Sequence, residues 1–217
     1  MQGVYFGCPH NAIYNIGVLR TPTVLYTALF TNAAPSGWKP CGRLRFPASA
    51  RDERGSMAAR DILLMGNPAL YEISKPVLRE ELAGIGAVVE DLHDTLMAYR
   101  KAHAAGRAIA APQIGVQKRI VYLNIDGPVT FINPELGGKS RRMMEVWDDC
   151  MSFPGLFVKV SRHERCRITY RDLAWQERSM VLEGDLSELL QHECDHLNGI
   201  LAVARAIDGR SFSLKRP

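Results

Sequence analysis

Two histidines four residues apart, in the run His192-Glu193-Cys194-Asp195-His196, constrain this chain more than any other feature. On a helix that spacing turns both imidazoles to one side, where a single metal ion can take them both. With His192 as origin, His196 falls at about 40° on the helical wheel, Glu193 at about 100° and Asp195 at about 300°, on the other flank of the pair. A carboxylate directly after the first imidazole is within reach of a water at such a metal, as hydrolytic centres require.

The flanks predict that the run is helical. Gly184-Asp185-Leu186-Ser187-Glu188 reads as a start, with Asp185 as cap and Glu188 three residues on, as in a capping box. Gly199 suits the C-terminal stop. Leu186, Leu190, Leu197 and Leu201 gather on one arc of the wheel, and Cys194 points away from the histidines towards a core. The helix is therefore expected to be buried on most sides. The bland alternative is a helix with two incidental histidines, a solvated Glu193 and a salt-bridged Asp195.

Two imidazoles leave a catalytic site one ligand short, since such sites commonly use three protein ligands and keep one position open. The five cysteines are Cys8, Cys41, Cys150, Cys166 and Cys194. None forms a C-x-x-C pair, and an odd count argues against a disulfide framework. Cys150 sits in Trp147-Asp148-Asp149-Cys150-Met151-Ser152-Phe153-Pro154-Gly155, an extended or turning segment from which a thiolate can face a metal. Taken alone, such a residue is more often a buried apolar thiol. Cys166 lies in an alternating strand pattern and reads as structural.

Three motifs in fixed order, within about Ala58 to Leu201, resemble those of the peptide deformylase family. Gly106-Arg107-Ala108-Ile109-Ala110-Ala111-Pro112-Gln113 resembles a Gly-Φ-Gly-Φ-Ala-Ala-Pro-Gln loop, where Φ is apolar. Asp148-Asp149-Cys150-Met151-Ser152 resembles Glu-Gly-Cys-Leu-Ser, and Gln191 to His196 matches Gln-His-Glu-x-Asp-His in full. Ala108 replaces a glycine where backbone is expected to approach the substrate, so a methyl group there narrows the groove or demands another backbone angle. Asp148 and Asp149 replace Glu-Gly, which restricts the backbone and adds an acid beside the site. Met151 for Leu conserves volume.

The resemblance implies an α+β fold of short antiparallel sheets around a central motif-bearing helix, with a long N-terminal helix. It implies Cys150, His192 and His196 as metal ligands and Glu193 as the general acid and base. The Gln113 side chain and the Met151 backbone N–H are then the oxyanion donors, and Gly106, Ala108 and Ile109 bind substrate. The implied activity is removal of the formyl group from formyl-methionyl nascent peptides, with release of formate. Ferrous iron (Fe2+) is the usual ion of the family, although zinc (Zn2+) or another divalent ion suits one thiolate and two imidazoles. Two rivals stand beside it. A zinc metallopeptidase would need a third ligand after the motif, and the 21 residues after His196 hold no His and no Glu. A non-enzymatic or altered-specificity binding protein on the same fold should have lost a ligand, Glu193 or Gln113, and none is lost.

The rest of the chain agrees with a small α+β domain. Leu78, Leu82, Ile85, Val88, Val89, Leu92 and Leu96 recur at helical spacing and predict a helix from Val77 to about His103, with Pro76 as start and Gly106 as stop. Lys118 to Asn124 and Val129 to Asn133 predict a strand pair joined at Asp126-Gly127-Pro128. Arg165 to Arg171 and Gln176 to Glu183 predict another, joined by Asp172-Leu173-Ala174 without the usual glycine.

Residues 1–56 read as an extension and 57–217 as the catalytic domain. Met1 to Arg51 hold no Asp or Glu, and their charged side chains are Arg20, Lys39, Arg43, Arg45 and Arg51. The extension is a targeting segment, upstream sequence from a misplaced start before Met57, or a flexible tail. Ala12 to Ala34 is interrupted by Asn15, Arg20 and several Thr, which excludes a good membrane span. The expected location is cytoplasmic, or an organelle if the extension is a transit peptide. A net charge of +4, concentrated at the two ends, is weak ground for nucleic-acid binding, and none is expected. The basic tail from Arg205 to Pro217 is open to two readings, a ribosome contact or a frayed terminus.

Overall fold

A computed structural model describes residues 59–215 and Pro217. The extension 1–56, and with it the boundary at Met57, lies outside the described residues. No helix among the described residues is long and apolar enough to cross a membrane.

The apolar heptad-like spacing after residue 77 does form a helix, α1, over Leu82–His103. It starts later than its periodicity predicts. Val77 is held extended because Asn133 accepts its N–H through Oδ1 and donates to its carbonyl through Nδ2, each at 2.8 Å. A single 3-10 turn, Arg79–Glu81, then leads into the helix. The expected stop is also displaced. Ala104, at φ 51°, closes the helix, and Gly106 is used in the following loop instead.

Five strands form the larger sheet. They are β1 (Ala108–Ala110), β2 (Ile120–Asn124), β3 (Pro128–Gly137), β6 (Arg165–Arg171) and β7 (Glu177–Glu183). Their order is β1-β2-β3-β6-β7, every pair antiparallel. Both predicted strand pairs are present, and β3 runs past Asn133 through a register shift between Ile132 and Glu135. The hairpin without glycine closes through Trp175, at φ 61°, while Asp172 Oδ1 accepts the N–H groups of Ala174 and Gln176. A smaller sheet, not foreseen from sequence, joins β4 (Met143–Asp149), β5 (Phe157–His163) and β8 (Phe212–Ser213) in that order.

At β1 and β2 the larger sheet is buried on both faces, which is why β2 reads as an unbroken apolar run. Ile120 and Tyr122 face α1 with Leu92, Leu96 and Ile109. Their neighbours Val121 and Leu123 face the motif helix α2, Gly184–Leu197, with Leu189, Leu190, Cys194 and Leu197. Each such fully buried Leu contributes about 2 kcal/mol. Helix α2 touches β1 and β7 of one sheet and β5 of the other, so it is the central element around which both sheets are placed.

The start of α2 differs from the predicted capping box. Glu183 is the N-cap without a side-chain bond, Asp185 is exposed in the first turn, and Glu188 is buried far from the cap. Leu201 lies beyond the helix end and packs with Leu70, Cys150 and Val160 rather than on the α2 arc. Gly199 does end the run, at φ 69°, and a Cβ there would collide with the Tyr71 carbonyl.

Candidate active site

From Ser187 to Leu197 every residue of α2 is buried. Gln191 anchors this stretch to β5, where its amide accepts the His163 N–H at 3.0 Å and donates to the His163 carbonyl at 2.8 Å. One turn of helix then sets His192 and His196 side by side, their Nε2 atoms 3.1 Å apart. The Cys150 thiol enters from the turn after β4, with its Sγ 3.2 Å from His196 Nε2. Two imidazole nitrogens and a sulfur thus converge on one buried point. The donor set fits a divalent transition metal.

His192 is oriented from behind. Its Nδ1 lies 2.8 Å from Asp148 Oδ1, and Asp148 Oδ2 accepts from Arg162 Nη2 at 2.9 Å. Arg162 also donates to Asp195, which in turn pairs with Arg205 at 2.8 Å. The chain His192–Asp148–Arg162–Asp195–Arg205 therefore ties α2 to β4, β5 and the segment after the helix. A carboxylate behind a ligating histidine fixes the ring and raises its basicity. Asp148 was legible as a departure from the family motif, but not as this partner.

Burial alone would raise the Asp148 pKa, yet facing His192 and Arg162 bring it down to about 2. Burial works against charge on His192 too, but Asp148 and Cys150 push its pKa well above the ordinary value. His196 moves the other way, lowered by burial and then by the charge on His192. Glu193 is pushed up to about 7, first by burial and then by Asp148 and Glu188, against His192 and Arg107. Its Oε2 is buried without a hydrogen-bond partner, an arrangement that leaves the carboxyl available to a ligand. Cys194 points into the core, as expected, where burial lifts its thiol to about 12. Cys166 is likewise buried, in β6.

The loop of the first motif supplies the other wall. Gly106, at φ 109°, lies against α1, and a Cβ there would sit 3.1 Å from Leu96 Cδ1. Arg100 of α1 donates to its carbonyl from both Nε and Nη2, at 3.0 and 2.8 Å. Gln113 closes the loop in a short 3-10 turn. Its Oε1 accepts the Ala110 N–H at 2.9 Å, which leaves Nε2 directed at Ser152 Oγ (3.2 Å) and Cys150 Sγ (3.5 Å). Gly106, Ala108, Gln113, Cys150, Met151, His192 and Glu193 line one cleft.

Some expectations for this wall change. Ala108 needs no special backbone angle, since it pairs with Leu123 as a regular strand residue. Asp149 likewise pairs with Phe157 in β4. Ile109 turns its side chain into the core beside α1 and does not line the cleft. Arg107 and Glu188, which the sequence reading did not single out for the site, do line it and pair at 3.0 Å. Burial and then Asp148 raise the Glu188 pKa, against His192 and Arg107. The available signal was Arg107 itself, a charged residue at a place the motif reserves for an apolar one.

Known proteins resemble this chain over the same region. The polypeptide deformylase family profile matches residues 59–211. A "Peptide deformylase 1" from Prochlorococcus marinus is 38% identical over 170 residues, covering 72% of this chain and 85% of that protein. A "Peptide deformylase 2" from Ralstonia nicotianae is 37% identical over 164 residues, covering 70% and 90%. Among solved structures, the peptide deformylase of Thermotoga maritima superposes with a TM-score of 0.64 at 30% identity, covering 70% of this chain and 100% of that one. The Synechococcus elongatus enzyme, solved in complex with actinonin, gives a TM-score of 0.63 at 27% identity, covering 74% and 85%.

Proposed function

This chain belongs to the polypeptide deformylase family, and from that premise we propose that its cleft hydrolyses the formyl group from the amino terminus of nascent peptides. Water attacks the formyl carbon, the C–N bond breaks, and formate and a free amine leave. The observation that carries this reading is the convergence of Cys150 Sγ and the Nε2 atoms of His192 and His196 beside the Glu193 carboxyl, whose Oε2 is buried without a partner.

Cys150, His192 and His196 would hold one divalent ion, for which ferrous iron is proposed on the family resemblance. When bound, such an ion would supply Lewis acidity and lower the pKa of its water towards neutrality. Glu193, with a pKa near 7 in its buried setting, takes the proton of the attacking water and hands it to the departing nitrogen. The Gln113 amide and the Met151 backbone N–H donate to the formyl oxygen as negative charge develops there. Asp148 keeps the His192 ring in the orientation that presents Nε2 to the cleft. Gly106 and Ala108 lie along the peptide. Formylated nascent chains place the work in the cytoplasm, or in an organelle if residues 1–56 act as a transit segment.

The test is formate release from formyl-Met-Ala-Ser by anaerobically prepared protein, with the metal content measured in parallel. Cys150→Ala should lose both metal and activity. Cys166→Ser and Cys194→Ser should keep their metal. Metal loss in either serine variant while Cys150→Ala stays replete would overturn the ligand set. A metal-loaded wild-type protein that releases no formate would overturn the activity.

A further inference from the structure

The cleft has a charged inner wall. Arg107 Nη2 donates to Glu188 Oε2 at 3.0 Å, across 81 residues of sequence. The Glu188 side chain is 10% exposed and that of Arg107 45%, so the carboxylate is the inner member of the pair. Glu188 sits one helical turn before His192. Its carboxylate, that of Asp148 and a ring nitrogen of His192 lie within 4.8 Å of one another. Glu188 spends one oxygen on Arg107, and the remaining guanidinium N–H groups have no described protein partner.

A formyl carbon held beside Glu193 places the substrate's α-carbon two bonds away. Arg107 and Glu188 line the same cleft as His192 and Glu193, and Glu188 stands four residues, about 6 Å of helix rise, before His192, so a side chain of methionine length that extends along this wall meets the pair. An apolar tip at that place strips water from the ion pair and returns no hydrogen bond. A neutral polar tip of the same length does return one. An amide oxygen accepts from Arg107 while its NH2 donates to Glu188, and a sulfoxide oxygen accepts from Arg107.

We infer that the Arg107–Glu188 pair makes this cleft select formyl peptides whose first side chain ends in a neutral hydrogen-bonding group over those with an apolar chain of the same length. Two sources carry that chemistry: the amide of glutamine, and the sulfoxide of an oxidised initiator methionine. The inference rests on the deformylase reading and concerns only the first residue of the substrate.

Four formyl tripeptides that differ only in the first residue (glutamine, methionine sulfoxide, methionine, norleucine) test it by formate release. Calorimetric binding of the four unformylated tripeptides reads the same preference without turnover. The glutamine or the sulfoxide peptide should exceed norleucine by about tenfold or more, mainly through KM, and whichever leads identifies the source. Arg107→Met/Glu188→Leu removes both charges together and should reverse the order. Arg107→Gln, at the half-exposed partner, is the milder change and should narrow the gap. Norleucine or methionine equal to or ahead of both polar peptides in the wild type, in turnover and in binding, overturns the inference. Polar peptides leading in binding while no peptide releases formate supports the selection and counts against the hydrolysis.

Discussion

Asp148 stands 2.8 Å behind the His192 ring, with its Oδ1 at Nδ1, on the side away from the converging donors. Its other oxygen is held by Arg162, so the carboxylate cannot turn away without breaking a buried ion pair. Asp148→Asn should therefore weaken metal binding by about 10- to 100-fold, as loss of such partners typically does. A competition titration against a chelator measures this. Unchanged metal affinity in a folded Asp148→Asn protein would show that the contact is only structural.

Glu193 and Asp195 are neighbours on one helix with opposite roles, and their variants should separate. Glu193→Gln keeps size and polarity, so metal stoichiometry should hold while turnover falls about 10²- to 10⁴-fold. Asp195 is engaged by Arg162 and Arg205, and Asp195→Asn should cost mainly stability, about 1 to 3 kcal/mol, because Arg162 keeps Asp148 but loses one of its two carboxylate partners. Steady-state kinetics, metal analysis and thermal melts read all three quantities. Near-normal turnover in Glu193→Gln would falsify its assignment.

In the metal-free protein Glu193 should contribute stability that is lost between pH 4.5 and 7, against an opposite contribution from His196, whose lowered pKa makes the folded chain bind fewer protons over part of that interval. The Glu193 carboxyl titrates at about 7 when folded against a model value of 4.5, so over that interval the folded chain binds the extra proton. Stability falls as pH rises through such an interval, by on the order of 3 kcal/mol for a shift of this size. Asp148, held at about 2, has the opposite sign and acts below its model value of 3.8, outside the window. Comparing melts of metal-free wild type and Glu193→Gln from pH 4.5 to 8 isolates the effect. Parallel curves for the two proteins would remove it.

A chain beginning at Met57 should fold and retain turnover. The family match starts at residue 59, and the acid-free composition before Arg51 resembles no part of the described domain. Matched kinetics of the shortened and full-length proteins decide this. An insoluble or inactive shortened chain beside an active full-length one would make residues 1–56 part of the domain.

Features set by short-range spacing were legible in the sequence. Helix α2 and the shared face of His192 and His196 follow from the four-residue interval, because helix geometry alone decides it. The pairs β2–β3 and β6–β7 follow from apolar patterning bounded by turns. The core position of Cys194 follows from the helical wheel. The start of α1 does not, because the amide of Asn133, 56 residues away from Val77, outcompetes helical hydrogen bonding there.

What only the tertiary structure decided is which charges meet in the site. Asp148 takes His192 and Arg162 because β4 and β5 pair beside α2. Glu188, expected at a helix cap, takes Arg107 because β1 packs on the same helix. Charged side chains are long and accept several partners, so no local spacing selects among them. The packing of distant elements brings one partner near and excludes water, and only then does the low local dielectric make the choice strong. The sequence by itself determined the donor residues and their chemistry, since residue type and helical period carry both. The walls around those donors, and so the character of the cleft, were decided by the fold.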